Sequence, residues 1–177
     1  EAVGEDPERE GLVETPRRFA EMVAEQLAYA AVPNEEIARA FDKTFSSPES
    51  DMVVVKDISL FSHCEHHIAL MYNMKAAVGY IPEARIGLSK IARIADAVSK
   101  RLQIQERIGA DIRDVMERIT GAGDVIVLLE GSILYDGTGN QKTGDAYKDD
   151  FRIRTVQDRR GFAQRISFPG EVMGAGS

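Results

Sequence analysis

The chain contains a single cysteine, three histidines and no tryptophan among its 177 residues. A lone cysteine excludes an internal disulfide, which is typical of a reducing compartment, so we expect a cytoplasmic protein. No apolar run approaches the ~20 residues that a helix needs to cross a bilayer, and no secretory signal is visible. These absences argue against a secreted, disulfide-stabilised domain and against a membrane protein.

Positive charge is also scarce. The 22 Lys and Arg are outnumbered by 29 Asp and Glu, which gives a formal net charge of -7 and a pI of about 5.1. Nucleic acids and anionic membranes bind through clustered basic side chains, so we predict no nucleic-acid partner and no membrane partner. This balance does not argue against a small anion bound in a local basic pocket.

The strong transition-metal ligands are concentrated in one short segment that holds His63, Cys64, His66 and His67. Thiolate and neutral imidazole are ligands that zinc prefers. If the segment turns helically, Cys64 and His67 share a face and can bind one ion. If it stays extended, Cys64 and His66 share a face and His67 points away. No histidine or cysteine elsewhere in the chain can complete a metal site.

Apolar periodicity predicts an α+β protein. Thr15 as N-cap with Pro16 in the first helical position predicts a first helix, and Asn34 can cap a short second one. Strands are predicted at residues 52–55, 58–61, 75–81, 124–130 and 151–156, and amphipathic helices at 88–102 and 104–119. We therefore predict a helical segment at 1–48, a domain at 49–170 with helices on one face of an antiparallel sheet and a long loop or hairpin at 131–150, and a flexible tail at 171–177.

Several motifs occur together in the order found in one known family. They span residues 64–67, 79–82, 87–94 and 101–107, and the opening residues 4–18 match as well. Over residues 4 to 130 the chain resembles the GTP cyclohydrolase I family. The resemblance implies the tunnelling fold, a ββααββ antiparallel sheet with two helices on one face. It also implies a ring-forming homo-oligomer in which pentameric rings stack as a decamer.

The resemblance implies roles for the metal-ligand cluster. Cys64 and His67 match two zinc ligands, and His66 matches a catalytic histidine beside the guanine ring. The implied reaction is hydrolytic: zinc-activated water attacks C8 of guanine, the imidazole ring opens, formate leaves and 7,8-dihydroneopterin triphosphate is formed. Zinc can lower the pKa of bound water to about 7, which makes hydroxide available at neutral pH.

The resemblance also implies a binding site for a purine nucleotide or a pterin. Gln105 and Glu106 match the residues that hold guanine, and Ser89, Lys90 and Arg93 match the triphosphate-binding segment. The sequence supports the second group independently, because the start of a helix attracts phosphate through free N–H groups and the helix dipole. Arg93 follows Ser89 and Lys90 by one turn on the same face.

The match fails at a strand that should carry a catalytic histidine and a third zinc-binding cysteine. Ile133 stands at the expected histidine position, Tyr135 at the cysteine position, and an expected phosphate-binding arginine falls near Gly139. Asp136 or Asp145 could supply a carboxylate ligand, and His63 or His66 could rotate in. We therefore predict weakly held or substoichiometric zinc.

Three hypotheses follow from this combination. The chain is an active GTP cyclohydrolase I-type hydrolase with an altered metal site, a degenerate homologue that binds a purine or pterin as a binding or regulatory subunit, or a tunnelling-fold enzyme acting on a related heterocycle. Glu106 fits all three, since it anchors the heterocycle in each. The triphosphate-binding residues favour the first two, whereas Ile133 and Tyr135 favour the last two.

Overall fold

Four helices and seven strands make up the described part of the chain, residues 3–46, 51–134 and 149–157, in this computed structural model. In chain order the elements are α1 (Thr15–Gln26), α2 (Asn34–Ala40), β1 (Thr44–Ser46), β2 (Val53–Cys64), β3 (Leu70–Tyr80), β4 (Ala84–Ile86), α3 (Leu88–Ser99), β5 (Leu102–Gln103), α4 (Gln105–Thr120), β6 (Val125–Ile133) and β7 (Asp149–Gln157). The predicted α+β class and the predicted order of the main elements are confirmed.

The central sheet has five strands in the order β5-β2-β3-β6-β7. The pairs β2–β3, β3–β6 and β6–β7 are antiparallel. Strand β5 instead runs parallel to the end of β2, with Cys64 opposite Gln103. The prediction of an antiparallel sheet was wrong at this edge, because the helical connection through α3 returns the chain in the direction of β2. Strands β1 and β4 form a separate antiparallel pair.

Strand β2 joins two segments that the sequence predicted as separate strands. The register shifts between Val55 and Ile58, and Asp57 adopts a φ of 59°, so a bulge interrupts the ladder without ending the strand. Beyond the bulge the buried positions alternate along the strand as far as Cys64. This alternation turns the Cys64 thiol toward the core and His63 toward the other face.

Helices α3 and α4 cover the core. Helix α3 packs against β2, α4 packs against β6 and β7, and the two helices contact each other. The central apolar residues of both helices are fully buried, as at Ile91, Ile94, Ile108 and Ile112. Helix α4 ends at Gly121, whose φ of 66° is a left-handed conformation that glycine adopts without a Cβ penalty.

The N-terminal helices begin close to where the sequence predicts, with different caps. Glu14 occupies the cap position of α1, so Thr15 is the first helical residue rather than the N-cap. Pro33 precedes α2, and the Asn34 side chain, instead of capping, reaches two carboxylates of α4. Helix α1 buries none of its residues within the chain and leaves Phe19 exposed.

Some predictions fall at or beyond the limits of the described structure. Strand β6 continues to Ile133, past the predicted start of the loop, and β7 confirms the strand predicted at residues 151–156. Residues 135–148 of the predicted loop and the predicted tail at 171–177 lie outside the described residues. Among the helices that are described, none combines the length and the apolar character needed to cross a membrane.

Candidate functional site

The metal-ligand cluster lies on a tight turn between β2 and β3. The N–H of Ile68 donates to the carbonyl of Cys64 at 2.9 Å, and the N–H of Cys64 donates to the carbonyl of Ala69 at 2.9 Å. Ile68 adopts a φ of 53°, which closes the turn and reverses the chain. Of the two geometries left open by the sequence, the chain therefore adopts a helical turn after Cys64 rather than an extended strand.

The Cys64 thiol is buried at the base of this turn, with a relative exposure of 5%. Its Sγ lies 3.5 Å from Nδ1 of His66. The side chains of His66 and His67 are exposed, and their ring centroids are 6.3 Å apart. A buried thiol in contact with an exposed imidazole can bind a soft cation or share a proton.

His63 lies beside this cluster on the other face of β2. Its ring packs edge-on against Phe61 with centroids 6.2 Å apart, and its buried Nδ1 has no hydrogen-bond partner within the described residues. Burial lowers the pKa of His63, because the charged imidazolium loses solvation. A neutral imidazole is therefore the favoured form at this position.

The described residues do not fit a tightly held zinc ion. Within residues 3–46 and 51–134, no group of three or more His, Cys, Asp or Glu side chains is arranged to hold a metal. The expected histidine position carries Ile133, which is buried with 2% exposure. Tyr135, Asp136 and Asp145 lie outside the described residues. Structural and catalytic zinc sites use three or four protein ligands, which this part of the chain does not supply.

The predicted guanine-binding residues occupy the first turn of α4. Glu106 is exposed and Gln105 is partly buried. Ile104 precedes the helix in extended conformation and accepts hydrogen bonds from the N–H groups of Arg107 and Ile108. The start of α4 therefore presents one carboxylate and one carboxamide to solvent, a pair that can accept from and donate to a purine edge.

The start of α4 is connected directly to the cysteine-bearing turn. The Arg107 guanidinium donates to the carboxylate of Glu65, to Gln103 Oε1 at 2.7 Å and to the carbonyl of Leu102 at 3.1 Å. The hydrogen bond from Arg107 holds the pKa of Glu65 below its usual value. The N–H of Glu65 also donates to the Gln103 carbonyl at 2.9 Å. The two segments are thus connected by Arg107 and Glu65, which are the neighbours in sequence of Glu106 and His66.

The predicted phosphate-binding residues occupy the start of α3. Ser89 and Arg93 are exposed, and Lys90 is partly buried. The Lys90 ammonium donates to the carbonyls of Phe41 at 3.3 Å and Lys43 at 3.0 Å, at the end of α2. An ammonium has three N–H groups, so one remains for a phosphate oxygen. Lys90 also attaches α3 to the N-terminal segment.

The two predicted subsites lie at opposite ends of α3. Gln103, next to the start of α4, donates from Nε2 to the carbonyl of Val98 near the end of α3. At the other end of α4, Gly121 lies close to Glu83, the residue just before β4 and α3. A Cβ built on Gly121 would be 3.1 Å from Oε2 of Glu83. The rise of a helix separates Lys90 from Val98 by about 12 Å. Lys90 therefore lies at the opposite end of α3 from the start of α4, which carries Glu106.

Several residues that hold the site together were not assigned a role from the sequence. Arg101 donates to Asn34 Oδ1 at 2.8 Å, to Asp111 Oδ2 at 3.2 Å and to the carbonyl of Val32 at 2.6 Å. Asp111 in turn accepts from Gln103 Nε2 at 3.0 Å. Arg101 and Gln103 lie inside a motif of the resemblance, but spacing does not reveal which partners they contact.

Known proteins share much of this sequence. A sequence profile described as GTP cyclohydrolase I matches residues 1–144. GTP cyclohydrolase 1 of Clostridium botulinum (strain Kyoto / Type A2) is 56% identical over an alignment of 137 residues, which covers 73% of this chain and 70% of that protein. The proteins of the same name from Clostridium acetobutylicum and Ruminiclostridium cellulolyticum are each 56% identical, over 136 and 137 residues, with the same shares covered.

Proposed function

Since the chain belongs to the GTP cyclohydrolase I family, we propose that it binds GTP, with guanine at the start of α4 and the triphosphate at the start of α3. The observation that carries this proposal is the position of Glu106. Its carboxylate is exposed on the first turn of α4, and the neighbouring Arg107 connects that turn to the segment bearing Cys64 and His66. A carboxylate in this position can accept from the ring N–H and the exocyclic amine of guanine.

The triphosphate subsite is supported by charge and by helix geometry. Ser89 and Lys90 lie in the first turn of α3, where N–H groups without intrahelical partners favour an anion. Arg93 adds an exposed guanidinium one turn later. In a chain whose net charge is -7, a local cluster of this kind provides the attraction that a triphosphate needs.

The ring assembly that the resemblance implies supports a site shared between chains. Lys90 and Glu106 lie at opposite ends of α3, and we propose that guanine and triphosphate are bound by neighbouring copies of the chain in a ring. The exposed apolar residues Phe19 and Met22 on α1 provide further surface for association. Pentameric rings stacked as a decamer are the assembly that the resemblance implies.

The reaction proposed for the bound nucleotide is hydrolytic opening of the guanine imidazole ring. One water adds to C8 and opens the imidazole ring to a formamide, and a second water hydrolyses this formamide, so that C8 leaves as formate. The ribose then rearranges, and its carbonyl condenses with the freed amine with loss of one water to give 7,8-dihydroneopterin triphosphate. His66 is the catalytic residue in this proposal, because its Nδ1 faces the Cys64 thiol while Nε2 is left to exchange a proton with the ring. General acid–base assistance of this kind contributes about 10²–10⁴-fold.

A specific observation favours a second candidate, in which the chain binds the nucleotide without turning it over. Ile133 places a buried hydrocarbon where the resemblance expects a histidine. Tyr135 stands where the resemblance expects the third zinc-binding cysteine, so Cys64 and His67, the residues proposed as zinc ligands, hold the ion with too few partners for secure binding. In this candidate the chain is a purine- or pterin-binding subunit rather than a hydrolase.

Calorimetric titration with GTP tests the binding proposal. We expect measurable binding by the wild-type chain and none by Glu106→Ala, with Glu36→Ala, an exposed carboxylate of α2, as the matched control. Equal titrations for wild type and Glu106→Ala reject the guanine assignment. Formate release and the pterin chromophore, followed on the same sample, separate the hydrolase from the binding subunit.

A further inference from the structure

Arg107 makes directional contacts beside the site that neither guanine binding nor phosphate binding accounts for. Its guanidinium reaches back from the first turn of α4 to three acceptors on two segments: the Glu65 carboxylate, Gln103 Oε1 and the Leu102 carbonyl. The planar fork of arginine suits this arrangement, because it directs several N–H groups at fixed angles. A lysine ammonium is a compact charge without this planar fork, so it does not match the spread of the three acceptors.

One side of this contact is rigid. Gln103 is buried with 1% exposure and is held by Asp111 Oδ2 at 3.0 Å and by the Val98 carbonyl at 3.3 Å. The N–H of Glu65 donates to the Gln103 carbonyl, which continues the parallel pairing of β2 with β5. This pairing fixes the backbone of the turn at Glu65, and the Glu65 side chain adds a second attachment through Arg107.

We propose that Arg107 is a positioning residue that fixes the turn bearing His66 relative to the guanine-binding pair Gln105 and Glu106. The proposal rests on the function proposed above, and it assigns no contact between Arg107 and the substrate. Arg107 acts through Glu65, whose carboxylate anchors the residue that lies between Cys64 and His66. Loosening this anchor lets the imidazole and the purine edge move apart.

The expected effect is on ligand binding rather than on folding. The side chains of Arg107 and Glu65 remain 40% and 38% exposed, so solvent screens the ion pair and its contribution to folding is small. Displacement of a positioned group by about 1 Å can cost about 10²-fold in the rate of a reaction. We therefore expect affinity and turnover to fall much more than thermal stability.

A double-mutant cycle read by GTP titration tests the coupling. We expect Glu65→Ala and Arg107→Ala each to weaken GTP binding about tenfold, and the double variant to weaken it by about the same factor, because both substitutions break one shared link. Glu65→Gln should bind close to wild type, since its amide oxygen still accepts from Arg107. Arg107→Lys should resemble Arg107→Ala.

The controls distinguish a positioning role from a general loss of stability. Arg118 lies on the same helix as Arg107, about 16 Å further along α4. Arg118→Ala removes its ion pairs with Asp114 and Glu35 and should leave GTP binding unchanged. Melting curves of every variant are recorded alongside. A loss of affinity that follows a loss of melting temperature, or losses that simply add in the double variant, overturns the proposal.

Two further results are decisive. Weak binding by the Arg107 variants with normal binding by Glu65→Ala shows that Arg107 touches the ligand directly, which also overturns a positioning role. Should an alanine variant fail to fold, Arg107→Gln compared with Glu65→Gln serves in its place, and equal affinities across that pair and the wild type count against the proposal. Failure of the wild type to bind GTP rejects the proposed function itself, and this inference with it.

Discussion

Ile133 lies directly opposite Met71 in the antiparallel register of β3 and β6, and both side chains are buried. Met71 lies opposite Ser62, two residues before Cys64 on β2. Ile133, the position at which the resemblance expects a histidine, is therefore aligned across the sheet with Met71 and Ser62, close to the end of β2 that carries the Cys64 thiol. Its side chain is a hydrocarbon. This pairing explains why the fold is preserved while the described metal-ligand set is incomplete.

Restoring the expected ligands should restore zinc. We expect the wild-type chain to retain well under one zinc per chain after dialysis, and Ile133→His with Tyr135→Cys to retain about one. Tyr135→Cys adds a third ligand to Cys64 and His67, and three ligands bind zinc far more securely than two. Burying an imidazole in place of Ile133 should cost about 1–3 kcal/mol of folding stability before metal is added. Ile133→His alone, which adds no thiolate ligand, is the control. One firmly held zinc in the wild type would show that another residue completes the site.

The nucleotide sequence of the gene offers an independent test of why the resemblance fails within residues 131–139. If Ser132 is encoded by AGC and Ile133 by AUH, where H is A, C or U, these two codons contain the histidine codon CAU out of frame. If Leu134 and Tyr135 are encoded by CUG-UAY and Thr138 and Gly139 by ACG-GGN, these pairs contain the cysteine codon UGU and the arginine codon CGG.

One nucleotide added before CAU and one added between CAU and UGU would place histidine, cysteine and arginine at positions 133, 135 and 139 together. These are the three positions at which the resemblance fails, so we expect resequencing of the gene to reveal two such nucleotides. Confirmation of the present reading frame, or codons that lack CAU, UGU and CGG, would contradict this expectation.

A site shared between neighbouring chains, as proposed above, predicts complementation between variants of Lys90 and Glu106. Lys90→Ala and Glu106→Ala should each fail to bind GTP alone. When the two are unfolded, mixed equally and refolded, about one quarter of the shared sites should regain both residues, if each site is built from two neighbouring chains. Titration of the mixture measures this fraction. Recovery of no sites would indicate that both residues act from the same chain.

Arg101 should be important for stability although it is not a site residue. Its side chain is only 12% exposed and joins Asn34, Asp111 and the Val32 carbonyl. Arg101→Ala leaves these partly buried acceptors without a donor and should lower the free energy of unfolding by about 2–3 kcal/mol. Urea denaturation followed by circular dichroism checks this. Arg17→Ala, which removes two exposed ion pairs of α1, should shift the midpoint little.

Acid should weaken the contact between α2 and α4 through Asp114, which accepts a hydrogen bond from Asn34. Burial acts to raise the pKa of Asp114, but hydrogen bonds from Arg118 and Asn34 outweigh it and hold the pKa below the ordinary value of 3.8. A depressed pKa contributes stability that is present above 3.8 and is lost as the pH falls through the folded-state value. Melting temperatures recorded from neutral pH downward should therefore fall less steeply for Asp114→Asn than for wild type. The exposed Asp42→Asn is the control, and parallel curves for all three would contradict the assignment.

Much of the scaffold could be predicted from local sequence patterns. The periodicity of Ile91 and Ile94 in α3, and of Ile108 and Ile112 in α4, marks the faces that the core buries. Gly121 ends α4, because glycine is the residue that adopts a left-handed conformation most readily. These features depend on neighbours within a few residues, which is why the sequence alone is sufficient for them.

The relations between segments depended on tertiary structure. No periodic signal in the chain marks three of these relations. They are the pairing of β5 with the end of β2, the contact between Glu65 and Arg107 across 42 residues, and the placement of Lys90 and Glu106 at opposite ends of α3. By itself the sequence determined the family, the order of the elements and the single segment that holds Cys64 and every histidine. Packing decided which side chains meet, because contacts between distant segments depend on how sheet and helices enclose a common core.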